Sequence, residues 1–294
     1  MNQASLEFED PFQILAAASL TLTGARVLKY GDTFAVFDRI GDIRPMGVLG
    51  AQGLYHEGAR FLSALRLRMS GEPLPLLGSA VSSDNIVFTV DMMNPDLRVG
   101  GEVVVPHGTL HVAREKFLWQ ATCYEHLQVG NHCPQSVSVD LEIEFAADFA
   151  DLFEVRGTRR PRRGVLHLPE IDRDAVVLAY SGLDGRRRRT RIAFDPAPEV
   201  LTGERAVFRL HLAPRCVCDY FLTITCDFDD APAAPRREFA RARSAATAEL
   251  RVGADDEACF IESSSEQLDA WIRRSLADLR MMTTRTPHGR FPHA

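Results

Sequence analysis

The sequence lacks an excess of positive charge, and this excludes one broad class of function. Its 294 residues carry a formal net charge of −6, and the sequence pI is about 5.9. A general nucleic-acid-binding protein needs a basic footprint, which this composition does not supply. The apolar run at residues 14–20 is too short to span a bilayer. We therefore expect neither a nucleic acid nor a membrane as partner.

The sequence also lacks the marks of export and of several cofactor sites. Residues 1–10 are acidic, whereas a secretory signal peptide begins with a positively charged region, so we expect a cytoplasmic location. Cys216 and Cys218 form a C-x-C pair, but no second pair or nearby histidine completes a zinc pattern. Neither a phosphate-binding loop nor a dinucleotide fingerprint occurs. We expect structural thiols, no metal and no cofactor.

What the sequence has is a series of short segments in which apolar and polar residues alternate. In residues 136–145, five apolar positions alternate with five polar ones, which predicts a strand with one buried and one solvent-facing side. Similar patterns predict strands at residues 34–38, 60–69, 85–91, 109–117, 122–129, 175–180, 190–194, 206–212 and 216–226. Turn-forming residues separate these strands. We predict a mainly β fold, a large antiparallel β-sandwich spanning residues 1–228.

The C-terminal part of the sequence has a different pattern. Residues 229–262 predict a linker, with a short exposed helix as the alternative for their first part. From residue 263 the pattern becomes helical, because Leu268, Trp271, Ile272 and Leu279 recur at helical spacings on one amphipathic face. We predict that these four residues form a domain interface and that residues 263–294 begin a truncated helical domain. The alternative is a helix that packs back on the sandwich.

Several side chains are candidates for a sugar site, each with a structural alternative. Asp148, Asp151 and Glu154 are spaced by three residues, and a glycosidase needs two carboxyl groups across the bond it breaks. The alternative is a solvated acidic face. Trp119 could stack on a sugar or could fill the core. Two arginine clusters, at residues 159–163 and 186–191, predict solvated loops or contacts with an acidic neighbouring domain.

Four longer segments carry a family resemblance. They are GLYHEGARFLS at residues 53–63, NPDL at 94–97, REKFLW at 114–119 and DFADLFEVRG at 148–157. These segments resemble the N-terminal domain of bacterial glycogen debranching enzymes of the amylo-α-1,6-glucosidase type. The resemblance covers roughly residues 12–226. Residues 263–294 resemble the entry into the catalytic barrel of paired helices in that family.

The resemblance implies a β-supersandwich followed by a helical barrel that holds the catalytic carboxylates. No position of this sequence matches the catalytic motifs, so we predict no catalytic residue and no activity for this chain alone. The expected function is to support the barrel and to shape its site for a glycogen-like α-glucan. Asp151, Glu154, Arg156 and Trp119 are the predicted substrate-binding residues.

Two other functions remain open from the sequence. One is a free-standing carbohydrate-binding or protein-interaction module, which predicts a stable and monodisperse protein. The other is an independent hydrolase that uses Asp148 or Asp151, which requires a cleft containing a carboxyl group of raised pKa. The scaffold function predicts instead an exposed apolar helix stripe, hence aggregation or dimerisation, so a homo-oligomer is among the expected assemblies.

Overall fold

The protein is mostly β-structure with three helices in its described parts. The structure, a computed structural model, describes residues 24–44, 50–229, 238–255, 261, 263–286 and 289–292. The predictions on residues 1–23 and on Cys259 lie outside these residues. The helices are α1 (Leu152–Val155), α2 (Phe239–Asp255) and α3 (Glu266–Met282). None of these helices is long and apolar enough to cross a membrane.

Most of the strands are short, as the closely spaced turn residues predict. In chain order they are β1 (Arg26–Tyr30), β2 (Thr33–Phe37), β3 (Gly53–His56), β4 (Ala59–Leu62), β5 (Ala64–Met69), β6 (Glu72–Pro73), β7 (Leu76–Val81), β8 (Val87–Met93), β9 (Leu97–Val99), β10 (Glu102–Val105), β11 (Leu110–Trp119), β12 (Thr122–Asn131), β13 (Val137–Ala146), β14 (Val165–Leu166), β15 (Glu170–Ile171), β16 (Ala175–Ser181), β17 (Arg187–Asp195), β18 (Val200–Leu201), β19 (Arg205–Leu212), β20 (Val217–Phe228), β21 (Thr283–Thr286) and β22 (Gly289–Pro292).

Two large antiparallel sheets form the body of the molecule. The first has nine strands in the order β14-β16-β17-β20-β12-β11-β8-β7, with β15 also paired to β16. The second has five strands in the order β18-β19-β13-β5-β6, and β1–β4 form a four-stranded sheet. Inward side chains of both large sheets, such as Leu141 and Phe208 on one and Ile192 and Ile224 on the other, share one hydrophobic core. The predicted mainly β, antiparallel sandwich fold followed by a helix is confirmed.

The alternation in the sequence explains which side of each strand is buried. Along β13 the apolar residues are buried and the polar residues between them are more exposed. Strand β17 follows the same rule, since Thr190, Ile192 and Phe194 are buried. Arg187 to Arg189 therefore lie in this strand and not in the solvated loop that their charge predicted. The predicted strand at residues 60–69 is two strands, separated at Ser63, whose N–H and hydroxyl both donate to the Ala146 carbonyl.

The segment predicted as a linker contains the 17-residue helix α2. This helix lies on the outer face of the nine-stranded sheet, where Ala242 and Ala246 pack on Phe117, Trp119 and Tyr124. Both alanines are fully buried. Their small side chains let the helix approach the aromatic residues closely, so this part of the chain covers the sheet.

The inner face of the nine-stranded sheet holds a buried ionic cluster, which consists of Asp42, Arg114, Lys116 and Glu125. Arg114 Nε donates to Glu125 Oε1 at 2.7 Å, and its Nη1 donates to Asp42 Oδ1 at 2.7 Å. Lys116 Nζ donates to the other oxygen of Glu125. Burial raises the pKa of Glu125, but the charges of Arg114 and Lys116 outweigh it and hold the pKa below its usual value. Glu125 is therefore a buried carboxylate whose partners keep it ionised.

The described cysteines differ in burial. Cys123 and Cys226 are buried, and burial raises the pKa of the Cys123 thiol to about 12. Cys133, Cys216 and Cys218 are partly exposed, and all five are free thiols. Among the described residues, no group of three or more His, Cys, Asp or Glu side chains could hold a metal ion.

Candidate functional site

The first candidate site is the acidic loop, residues 148–155, which follows β13. Phe149 has a left-handed backbone conformation with φ of 50°, and its side chain is buried. Its ring contacts Phe61 edge-on and stacks on Tyr180, each at 5.6 Å between ring centroids. This anchor fixes the loop on the core. The acidic side chains on either side of Phe149 therefore have defined positions.

Every carboxylate of the acidic loop has an arginine partner. Arg60 donates from Nε to Asp148 Oδ1 at 3.1 Å. Arg160 donates from Nε and Nη2 to Asp151 Oδ2 at 2.9 and 2.7 Å. Arg163 Nε lies 3.0 Å from Glu154 Oε1. Arginines of the cluster at residues 159–163 thus neutralise Asp151 and Glu154. The alternative of a solvated acidic face did not include these ion pairs.

Asp151 and Glu154 also form a capping box around α1. Asp151 Oδ1 accepts from the N–H groups of Phe153 and Glu154, and Glu154 Oε2 accepts from the Asp151 N–H. Burial raises the pKa of Asp151, but these N–H groups and Arg160 outweigh it, so the pKa lies below its usual value. A general acid needs a raised pKa, so the independent-hydrolase hypothesis gains no support from Asp151.

The predicted substrate-binding residues do not form one site. Asp151 and Glu154 line a small cavity of about 290 Å³ together with Tyr180 and arginine side chains. Arg156 is exposed just after α1 and is outside this cavity's lining. Trp119 is only 4% exposed and donates from Nε1 to Glu249 Oε2 of α2 at 3.0 Å. Because α2 covers the Trp119 ring, this side chain is part of the packed interior and has no open face on which a sugar could stack.

The apolar stripe of α3 is exposed. Trp271 is 63% exposed, Leu279 is 56% and Leu268 is 44% exposed, while Ile272 is half-buried. The helix is tied to the sandwich through polar groups: Asn85 Nδ2 donates to Asp278 Oδ1 at 2.6 Å, and Arg274 Nη1 donates to the Ser82 carbonyl. The alternative in which α3 buries its stripe against the sandwich does not hold in this structure.

A second, larger cavity was missed by the sequence analysis. We name it the outer groove: it has a volume of about 1,290 Å³ and lies between α2 and the outer faces of β12, β17 and β20. The alternation in residues 216–226 correctly places Phe221, Thr223 and Thr225 on one face. The sequence gives no sign of which other strands lie beside them, so the groove could not be assembled from it.

These features define a class of protein, an antiparallel β-sandwich domain with a following helix that exposes an apolar stripe. The chain belongs to the family described as the N-terminal domain of some glycogen debranching enzymes, whose family model matches residues 28–223. This match covers more than half of the chain and confirms the family predicted from the four sequence segments.

Solved structures with a similar arrangement share little sequence with the chain. One is a putative kojibiose phosphorylase from human microbiome, at 8% identity and a TM-score of 0.47 over 89% of this chain and 36% of that chain. Another is a galactose mutarotase-like protein from Lactobacillus casei, at 10% identity and a TM-score of 0.39 over 69% of this chain and 100% of that chain. The chain thus spans about a third of the phosphorylase. No curated protein matches it.

Proposed function

We propose that this chain is a non-catalytic N-terminal β-sandwich of an amylo-α-1,6-glucosidase-type glycogen debranching enzyme. In this proposal it supports a helical-barrel catalytic domain in the cytoplasm and shapes that domain's α-glucan site. The family match over residues 28–223 carries the proposal. The exposed stripe of Trp271, Leu268 and Leu279 supports it, because an apolar helix face of this kind fits a contact with another domain.

The acidic loop has a scaffold function in this proposal. Its carboxylates are held by arginines and by the capping box, so the loop is a firm surface that can border a neighbouring domain's sugar site. Arg156 is exposed beside it and can reach a ligand there. Asp151 and Glu154 then position the border and take no part in bond cleavage.

The first test is the activity of the purified chain on a glycogen limit dextrin. We expect no glucose release, because the carboxyl groups of the acidic loop are paired and Asp151 has a lowered pKa. A coupled glucose assay with a complete debranching enzyme as positive control measures this. Glucose release that persists in the purified chain would contradict the non-catalytic assignment.

The second test addresses the stripe of α3. We expect the chain to self-associate as its concentration rises, since Trp271 and Leu279 expose apolar surface. The double substitution Trp271→Gln and Leu279→Gln should shift sedimentation velocity profiles towards the monomer. The matched control is Leu168→Gln, which removes an apolar side chain outside α3 that is 89% exposed. If the unchanged chain is monomeric at every concentration, the free-standing module becomes the better hypothesis.

A further inference from the structure

The outer groove has a floor built from three rows of side chains that run across three strands. One row consists of His126, Phe221 and Asp195, the next of Tyr124, Thr223 and Ala193, and the third of Thr122, Thr225 and Arg191. All belong to strand positions whose side chains lie on the outer face, because residues in register on neighbouring strands share one side of a sheet. The rows therefore form a continuous surface.

The side chains of this floor differ in size. In the middle row Tyr124 is large, whereas Thr223 and Ala193 are small, and all three line the groove. At one end the rings of His126 and Phe221 stack at 4.6 Å between centroids, and Phe239 of α2 contacts both. The groove thus has an apolar aromatic wall, formed partly by the sheet and partly by the helix.

The other end of the groove carries charged groups. Arg191 and Asp227 are half-buried there, on β17 and β20. Neither side chain makes a hydrogen bond to the residues that the structure describes, and burial raises the pKa of Asp227 despite Arg189 and Arg191 nearby. This half-buried guanidinium and carboxylate line the groove with their hydrogen-bonding capacity unused by the described residues, so together they can offer donors and acceptors to a ligand.

The balance of charge selects the chemistry of that ligand. Four acidic side chains and three arginines line the groove, so it has no strong field of either sign. A nucleic acid or another polyanion would require a basic surface. Sugar hydroxyls both donate and accept hydrogen bonds, and sugar rings have apolar faces that suit aromatic walls. The volume of about 1,290 Å³ exceeds the usual range for a small-molecule pocket, so a chain of several sugar units fits better than a monosaccharide.

We propose that the outer groove is a binding site for a neutral oligosaccharide, with its sugar rings against Phe221 and Phe239 and its hydroxyls on Arg191 and Asp227. The groove is separate from the acidic loop and from the α3 stripe. The choice of an α-glucan as the oligosaccharide rests on the proposed function, whereas the site itself rests on the geometry. The groove would then hold a glucan strand on the sandwich while another domain acts on it.

Titration calorimetry of the full chain with maltoheptaose and, separately, with cellohexaose tests this proposal. Asp227→Asn keeps the shape of the side chain and removes its charge, and Ala193→Phe fills the centre of the floor. We expect Asp227→Asn to weaken maltoheptaose binding about tenfold, as loss of one charged hydrogen bond implies, and Ala193→Phe to abolish it. The matched control is Asp91→Asn on β8, whose carboxylate lies on the same sheet face beside His111 but outside the groove lining.

Each result has a definite meaning for the groove. Binding that both groove variants weaken and that Asp91→Asn retains supports the site. Cellohexaose binding with the same pattern, without maltoheptaose binding, supports the site but contradicts the α-glucan function. Maltoheptaose binding that is equal in all variants leaves the α-glucan function standing and overturns the groove proposal, as does the absence of any oligosaccharide binding. Thermal unfolding checks the fold of each variant, and the isosteric Asp227→Asn provides the test if Ala193→Phe does not fold.

Discussion

Substitution of Glu125 by alanine is expected to lower the free energy of unfolding by about 3–5 kcal/mol, the range observed when one partner of a buried ion pair is removed. Glu125 has no exposed surface and is the shared partner of Arg114 and Lys116. Its loss leaves the Lys116 ammonium without its carboxylate in the core. A buried unpaired charge is far more costly than a missing apolar contact. Urea unfolding followed by circular dichroism measures the effect.

A control and a double substitution separate charge from volume. Glu170→Gln removes an exposed carboxylate that lies 3.3 Å from Arg187, and we expect a change of less than about 1 kcal/mol. The combination of Glu125→Met with Lys116→Met removes both members of one pair while Arg114 keeps Asp42 and the Ile40 carbonyl. It should be more stable than Glu125→Ala, because apolar pairs of similar volume replace buried ion pairs well. If Glu125→Ala unfolds as the control does, the cluster does not stabilise the fold.

The long strands were predictable from the sequence because each needs only its own alternation, whereas shorter ones such as β1, β3 and β7 were not among the predicted strands. Strand β13 shows this most clearly, with buried apolar residues at every second position. The ionic cluster was not predictable, since Arg114 and Lys116 occupy core-facing positions where a sequence pattern anticipates apolar side chains. Only the pairing of β11 with β12 brings Glu125 next to them. A buried charged side chain can be predicted only if its partner is known, and the strand pairing determines which residue is that partner.

Helix α2 shows a second limit of the sequence. Its alanine-rich and arginine-rich segment has no broad apolar face, so the pattern predicted a linker. Ala242 and Ala246 are nevertheless buried, because the aromatic side chains of β11 and β12 supply the apolar surface for both partners. The two alanines contribute little apolar area themselves, so most of the apolar area in this contact comes from the aromatic side chains of the sheet. The outer groove is lined by this helix and by three strands. It could not be predicted because the sequence pattern does not show which elements pack together.

The acidic loop was predictable only in part. The spacing of three residues between Asp151 and Glu154 allows the capping box, in which each side chain accepts from the other residue's backbone N–H. The basic residues that follow, at 159–163, were in view in the sequence, but their contacts with the loop were not. In the structure, Arg160 and Arg163 pair with Asp151 and Glu154. Arg60, which is distant in sequence, completes the pairing of the loop's carboxylates.

Substitution of Arg60 by methionine is expected to release the acidic loop and to lower the free energy of unfolding by about 2–3 kcal/mol, as the loss of several partly buried hydrogen bonds implies. Arg60 donates to Asp148 and also, from Nη1, to the carbonyls of Gly50 at 2.9 Å and Gln52 at 3.3 Å. It lies directly over Gly53, where a Cβ would be 2.5 Å from Arg60 Cδ. One side chain thus joins β3, β4 and the loop.

The release is measurable by limited trypsin digestion, since the loop leads into the exposed arginines at residues 159–163. We expect cleavage there to be about tenfold faster in Arg60→Met, because local opening by about 1.4 kcal/mol changes the open population tenfold. Arg60→Lys keeps the charge but cannot form two parallel hydrogen bonds to Asp148. Its cleavage rate should therefore fall between those of the unchanged protein and Arg60→Met. The control Arg205→Met removes a half-exposed arginine 3.5 Å from Glu142 on the five-stranded sheet and should digest as the unchanged protein does. Equal digestion of Arg60→Met and this control would mean that Phe149, the capping box and the salt bridges to Arg160 and Arg163 hold the loop without Arg60.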